Sequence, residues 1–202
     1  MIPDTDITAL ILCGGQGRRF GNDPKPLASL KKGPNRRALV DHVIAALPDS
    51  IPILISANSH LADYEARAPV IRDTDLGTQN SGPLLGIYSA LGVIDTPWLL
   101  VCPADMPLLG PEWYRPLTNA QEQIPSPRVI HDGVRLQSLL CLIPLSVRPD
   151  LQDYLEQGGQ SVRDWHRRVH ALEVKVDTDA DAFSNVNTRE ELEMLEHSLL
   201  QR

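Results

Sequence analysis

Three glycines, Gly14, Gly15 and Gly17, follow the apolar run "ITALILC", and Arg18, Arg19 and Lys25 come straight after them. Glycines leave backbone amides open to an anion because no Cβ stands in the way. Arginine forks onto phosphate oxygens, and lysine places a point charge on them. A strand, a glycine loop and a set of cations, in that order, suit a small polyanion. The loop is not the phosphate loop of ATPases, since no G-K-[ST] follows, and it is not G-x-G-x-x-G either. From spacing alone, phosphate binding and a tight structural turn both remain open.

A second group lies in "LLVCPADMPLL", which puts Asp105 just past a buried apolar run. Magnesium takes one or two carboxylates and fills its shell with phosphate oxygens and water. Phosphoryl and nucleotidyl transfer need such an ion. An aspartate in this place also serves as a helix cap or turn residue, so both roles stand at this point. The six histidines are scattered, and no Ser-His-Asp or Cys-His arrangement can be assembled. Trp98, Trp113 and Trp165 read as packing residues.

Composition narrows the partners. The chain has 202 residues and a formal net charge of −7, unevenly spread. Residues 18–37 hold Arg18, Arg19, Lys25, Lys31, Lys32, Arg36 and Arg37 against the single acid Asp23. An acidic protein with one basic patch is not built to grip nucleic acid along a broad face. No apolar run reaches the roughly 18 to 20 residues of a membrane span, and the acidic N-terminus does not resemble a secretory signal. Cys13, Cys102 and Cys141 are far apart and sit in or beside apolar runs, as reduced buried thiols would. A cytoplasmic location is expected.

The elements that must position these residues alternate along the chain. Continuous apolar runs at "ITALILC" and "PWLLVCPAD" predict strands buried on both faces. "IPILISAN", "PVIRD", "PRVIHDG", "LQSLLCLIP" and "ALEVKVD" read as further strands. Helices are predicted at "ALVDHVIAAL", "HLADYEARA", "GPLLGIYSALGVI", "EWYRPLTNAQEQ", "PDLQDYLEQG", "SVRDWHRRV" and "NTREELEMLEHSLL". Asn187 or Thr188 would cap the last of these. Strand-helix alternation implies one α/β domain spanning 1–202, Rossmann-like, with a mostly parallel sheet and helices on both faces. Residues 74–82 are expected to form the most mobile loop.

At these residues the chain resembles a known family. "LILCGGQGRRFGNDPKPL" is similar to the L-x-G-G-x-x-x-R-x-G-x-x-K signature of the nucleotidyltransferase superfamily that activates sugars and cofactors. "GPLLGIYSAL", "CPADMPLL" and "FSNVNTREEL" resemble, in order, segments of the molybdenum cofactor guanylyltransferases. The resemblance implies transfer of GMP from GTP to molybdopterin, with Mg²⁺ as cofactor. Leu12, Cys13 and Gly14 match the strand-end segment that meets the nucleotide, and Gly15, Gly17 and Arg19 match the loop around the triphosphate. Lys25 matches the lysine that neutralises phosphate charge, and Asn58 and Asp73 match positions near ribose and base. Asp105 matches the magnesium ligand. Asn185 and Asn187 match asparagines on the acceptor side, so the N-terminal part would bind nucleotide and the C-terminal part would contribute to the molybdopterin site. Transient contact with molybdopterin-delivering and molybdoenzyme-maturation proteins is also implied.

The chain departs from the family pattern at Pro24, where an aspartate is usual, and at Cys13, where alanine is common. Pro24 fixes its own φ and Pro26 disfavours helix at Lys25, so both bear on how the lysine is aimed. "RLQS" replaces a segment that often contains proline. Rival readings are CTP with molybdopterin, GTP with another phosphorylated acceptor such as phospholactate, and a relative that binds nucleotide without turnover. A dehydrogenase is disfavoured because no acid suited to ribose stands about 20 residues past the glycines.

Overall fold

The computed structural model describes residues 1–14, 24–30, 37–77, 82–120, 124–177 and 182–199. Seven strands form one sheet: β1 (Ile7–Leu12), β2 (Ile53–Ser56), β3 (Val70–Ile71), β4 (Trp98–Pro103), β5 (Arg128–His131), β6 (Leu136–Pro144) and β7 (Leu172–Lys175), in the spatial order β3-β2-β1-β4-β6-β5-β7. β1 pairs in parallel with both β2 and β4. The chain therefore leaves β1 toward one edge and returns on its other side at β4. That reversal is the place where an open α/β sheet accepts a ligand, beyond the carboxyl ends of the strands. Among the described strands β6 alone is antiparallel, to β4 and to β5. The "HDG" turn explains this: Gly133 takes φ +90, and Asp132 accepts the amides of Val134 and Arg135, closing a short hairpin.

Every residue of β1 is buried. Ile7, Ala9 and Ile11 face a core shared with helices α1 (Leu39–Ala45), α2 (Leu61–Glu65) and α4 (Arg115–Asn119). Leu10 and Leu12 face the other core, under α3 (Pro83–Leu91), α5 (Arg148–Glu156) and α6 (Val162–Arg168). A strand covered on both sides has no polar face, which is why it reads as an unbroken apolar run. Each fully buried Leu or Ile contributes about 1.5–3 kcal/mol over its exposed state. Helices thus cover both faces, as expected. Trp113 and Trp165 are core residues, and Trp98 lies under the Arg128 guanidinium at 4.9 Å.

Two helical expectations are corrected. The "EWYRPLTNAQEQ" helix contracts to Arg115–Asn119, because Pro116 sets its first turn and cannot continue a helix behind it. Glu112, with φ +70, lies in the turn before it. Lys25, expected to resist helix, opens a three-residue 3-10 turn, Lys25–Leu27. Pro26 is tolerated there because a first-turn amide needs no partner. The predicted loop at 74–82 lies partly outside the described residues.

The C-terminal helix α7 (Arg189–Leu199) is capped by Thr188 and not by Asn187. Thr188 Oγ1 accepts the Glu191 amide at 3.1 Å, while the Glu191 carboxylate accepts the Thr188 and Asn187 amides. This reciprocal arrangement is the capping box expected of T-x-x-E. Leu30, Leu39, Val186 and Leu192 form a small core that pins α7 to the segment around Lys25 and to α1.

Candidate functional site

Register brings the chemistry together. Leu12 is opposite Pro103 across β1 and β4, and the Ala104 amide donates to the Leu12 carbonyl at 3.1 Å. Cys13 and Gly14 therefore leave the sheet beside Ala104 and Asp105. The Asp105 carbonyl accepts the Val186 amide at 2.9 Å, which holds the segment before α7 on the same rim.

Four predicted residues meet there. Lys25 Nζ donates to Asp105 Oδ2 in a close ion pair and to Asn187 Oδ1 at 3.1 Å. Asn185 Nδ2 donates to Asp105 Oδ1 at 3.0 Å. Both carboxylate oxygens of Asp105 are thus engaged, one by an ammonium and one by an amide. Asn185 and Asn187, expected on the acceptor side, contact the carboxylate and the lysine directly. Glu191 was not predicted as a site residue. It holds Asn187 through the backbone, and the T-x-x-E spacing was the signal that could have found it.

Asn58 and Asp73 form a separate pair on the β2 and β3 side. Asn58 Nδ2 donates to Asp73 Oδ2 at 2.7 Å, and the Asp73 amide donates to Asn58 Oδ1 at 3.0 Å. The next residue is fixed in turn: the Thr74 amide donates to Ser89 Oγ at 2.7 Å, and that hydroxyl donates to the Leu85 carbonyl. Helix α3 therefore sets the position of the Asp73 segment. Its own seat depends on Gly86, where an added Cβ would lie 2.5 Å from Ser56 Oγ and 3.2 Å from Leu12 Cδ2. Gly86 was missed; a glycine inside a helix costs about 1 kcal/mol against alanine, and that cost signals a packing reason.

Gly15, Gly17, Arg18 and Arg19 lie outside the described residues, as do Asp23, Lys31, Lys32 and Arg36. Cys13 is buried, and burial pushes its thiol well above the ordinary range, so it is no nucleophile. His131 is part of the hairpin: its Nδ1 accepts the Gly133 amide at 3.1 Å. A cavity of about 390 Å³ opens between the Lys25 turn, α2 and α7, lined in part by Pro24, Leu27, Asp63 and Arg189.

A magnesium ion fits the residues present. Asp105 is a hard oxygen donor at a strand end; Lys25 and Asn185 each take one lone pair of its carboxylate, and the remaining lone pairs are the ones an ion would use. No group of three His, Cys, Asp or Glu capable of holding a metal occurs among the described residues. Among the described residues no helix is long and apolar enough to cross a membrane.

A mostly parallel α/β sheet, with a carboxylate and a lysine at the strand reversal, defines a nucleotidyltransferase-type fold. Solved structures share it. A protein titled molybdopterin-guanine dinucleotide biosynthesis protein A from Archaeoglobus fulgidus superposes with a TM-score of 0.77 at 20% identity, covering 96% of this chain and all of that one. A nucleotidyl transferase from Methanothermobacter thermautotroptrophicus gives a TM-score of 0.69 at 14% identity, covering 96% and 98%.

Residues 9–172 match the MobA-like NTP transferase domain. A molybdenum cofactor guanylyltransferase from Cupriavidus pinatubonensis is 37% identical over 95% of this chain and 97% of its own length. One from Shewanella woodyi is 33% identical over 96% and 97%. The chain belongs to the MobA-like NTP transferase family, and it is a transferase enzyme.

Proposed function

We propose that the protein transfers GMP from GTP to the terminal phosphate of molybdopterin, forming the guanine dinucleotide and releasing pyrophosphate. The observation that carries this reading is the convergence of Lys25, Asp105, Asn185 and Asn187 at the ends of β1 and β4. It occurs in a chain that matches named guanylyltransferases over nearly its whole length.

An oxygen of the acceptor phosphate bonds to the α-phosphorus as the bond to the β-phosphate oxygen breaks. The acceptor is already an anion, so no general base is required. The obstacle is repulsion between two highly charged groups, which makes positioning and charge neutralisation most of the catalysis. Asp105 would hold Mg²⁺, which when bound supplies positive charge at the phosphate oxygens. Lys25 would neutralise the triphosphate and then the leaving pyrophosphate, with Arg19, Gly15 and Gly17 wrapping it as the resemblance implies. Leu12, Cys13 and Gly14 would line the nucleotide, with Asn58 and Asp73 toward ribose and base. Asn185 and Asn187 would face the acceptor. Reduced, buried cysteines fit a cytoplasmic enzyme.

Pyrophosphate release tests the reading. With molybdopterin as acceptor, GTP should support turnover and CTP or ATP should not. A site whose polar groups pair with one base leaves them unpaired against another. Equal rates with CTP, or no pyrophosphate with any nucleotide, would overturn it.

A further inference from the structure

Resting on the reading above, in which Asp105 receives the metal and Lys25 the triphosphate, we propose that Lys25 is the cation of Asp105 in the nucleotide-free protein. It gives up that carboxylate only when metal and nucleotide arrive together. The two roles of Lys25 and Asp105 compete in the geometry observed. Lys25 Nζ is on Asp105 Oδ2, and Asn185 Nδ2 is on Oδ1. A divalent cation on the remaining lone pairs of this carboxylate would lie within a few ångströms of the ammonium, and the two positive charges repel. The pair is largely withdrawn from water, with side-chain exposures of 20% for Lys25 and 14% for Asp105. Solvent screening therefore weakens that competition less than it would at an open surface.

The backbone leaves little room for another solution. Lys25 stands between Pro24 and Pro26, and Pro24 takes φ −64 and ψ 127 before the 3-10 turn. Both prolines restrict the chain, so the exchange falls to the lysine side-chain torsions. Asn187 Oδ1 remains a second acceptor for the ammonium while it moves. Asn187 is itself held by the cap of α7, because its amide donates to Glu191.

The exchange couples two ligands. Metal alone must break the ion pair and leaves Lys25 without a carboxylate. Nucleotide alone can attract Lys25 but strands Asp105. Together they replace both partners, since phosphate oxygens take the lysine and the metal takes the aspartate. That is positive coupling between two binding events, and it is reciprocal. It makes an unusual demand: removing the lysine must weaken one ligand and tighten the other. A lysine that served phosphate alone would move only the nucleotide, and a merely structural one would move neither.

The test titrates Mn²⁺, a paramagnetic substitute for Mg²⁺, into the full chain, with free ion counted by electron paramagnetic resonance. GTP binding in chelator is measured alongside by calorimetry. Lys25→Met keeps length and loses charge; Lys25→Arg keeps charge; Asp105→Asn removes the metal ligand. Without nucleotide, Lys25→Met should bind Mn²⁺ about tenfold or more tighter than wild type, a change of about 1.4 kcal/mol. It should bind metal-free GTP about tenfold weaker. Lys25→Arg should leave Mn²⁺ affinity near wild type, and Asp105→Asn should weaken Mn²⁺ binding in the presence of GTP. If Lys25→Met binds Mn²⁺ no tighter while Asp105→Asn still loses the ion, the exchange is refuted and Asp105 stands as the ligand. If Asp105→Asn holds Mn²⁺ with GTP as well as wild type does, the metal assignment fails and the exchange falls with it.

Discussion

Gly86 offers a direct test of how α3 is seated on the ends of β1 and β2. A Cβ there would lie 2.5 Å from Ser56 Oγ, 3.3 Å from Ser56 Cβ and 3.2 Å from Leu12 Cδ2. Ser56 is buried at 4% exposure, so its hydroxyl has little space in which to turn aside. Two terms oppose each other in Gly86→Ala. Helix propensity favours alanine by about 1 kcal/mol. Overpacking of a closed site costs about 1–3 kcal/mol, so the net effect is a loss of up to about 2 kcal/mol. For a chain of this size that lowers Tm by roughly 2–4 °C per kcal/mol. Ser56→Gly deletes the two atoms nearest to the new Cβ apart from Leu12. In that background Gly86→Ala should cost less or even stabilise, and the double-mutant cycle should give a coupling of about 1 kcal/mol or more. Denaturant midpoints measure the cycle. Because Leu12 would line the proposed nucleotide site, the single variant should also raise the KM for GTP. Additivity within about 0.3 kcal/mol would show that α3 does not press on Ser56. The reasoning from close approach would then be wrong.

Asp105→Asn should retain the fold, since its hydrogen bond to Asn185 survives in one orientation, yet turnover should fall by at least about a hundredfold. Near-wild-type rates at saturating magnesium would make Asp105 a turn residue. His166 is buried, and burial lowers its pKa below 6.5 although its Nε2 contact with the Ser138 carbonyl opposes this. A depressed histidine stabilises fully above the unfolded value, and that contribution is lost as pH falls below about 6.5 through the folded pKa. Urea midpoints should therefore drop between about pH 7 and 5, less steeply in His166→Gln, and His42, which burial also lowers, adds to the drop; identical slopes would exclude this. The three free thiols are all buried, and burial raises Cys102 to about 12 and the others further. Ellman's reagent should find no fast-reacting thiol in the native protein and three after unfolding; rapid labelling of Cys13 would mean that the strand end opens.

The elements were legible where local pattern suffices. β1 and β4 read as buried strands because helices cover both of their faces. α3 announced itself by Pro83 at its start, and α7 by a capping Asn187 or Thr188 with acids in its first turn. The 3-10 turn at Lys25 and the shortened helix at Arg115 were not legible. Each is decided by where a proline falls relative to a first turn. The antiparallel β6 could be suspected from "HDG", yet a turn signal does not say which neighbours the returning strand will join.

The sequence by itself determined a glycine loop with cations after one strand, an aspartate after another, and a C-terminal N-x-N-T segment, because each is a matter of residue type and short spacing. Only the tertiary structure decided that Lys25, Asp105, Asn185 and Asn187 meet. Lys25 meets Asp105 across 80 residues and Asn187 across 162. Local periodicity carries no record of such distances. They are closed by β1 pairing with β4 and by a backbone hydrogen bond from Val186 to Asp105. The same packing placed Ser56 and Leu12 against Gly86, and it set the asparagines on the lysine and the carboxylate themselves.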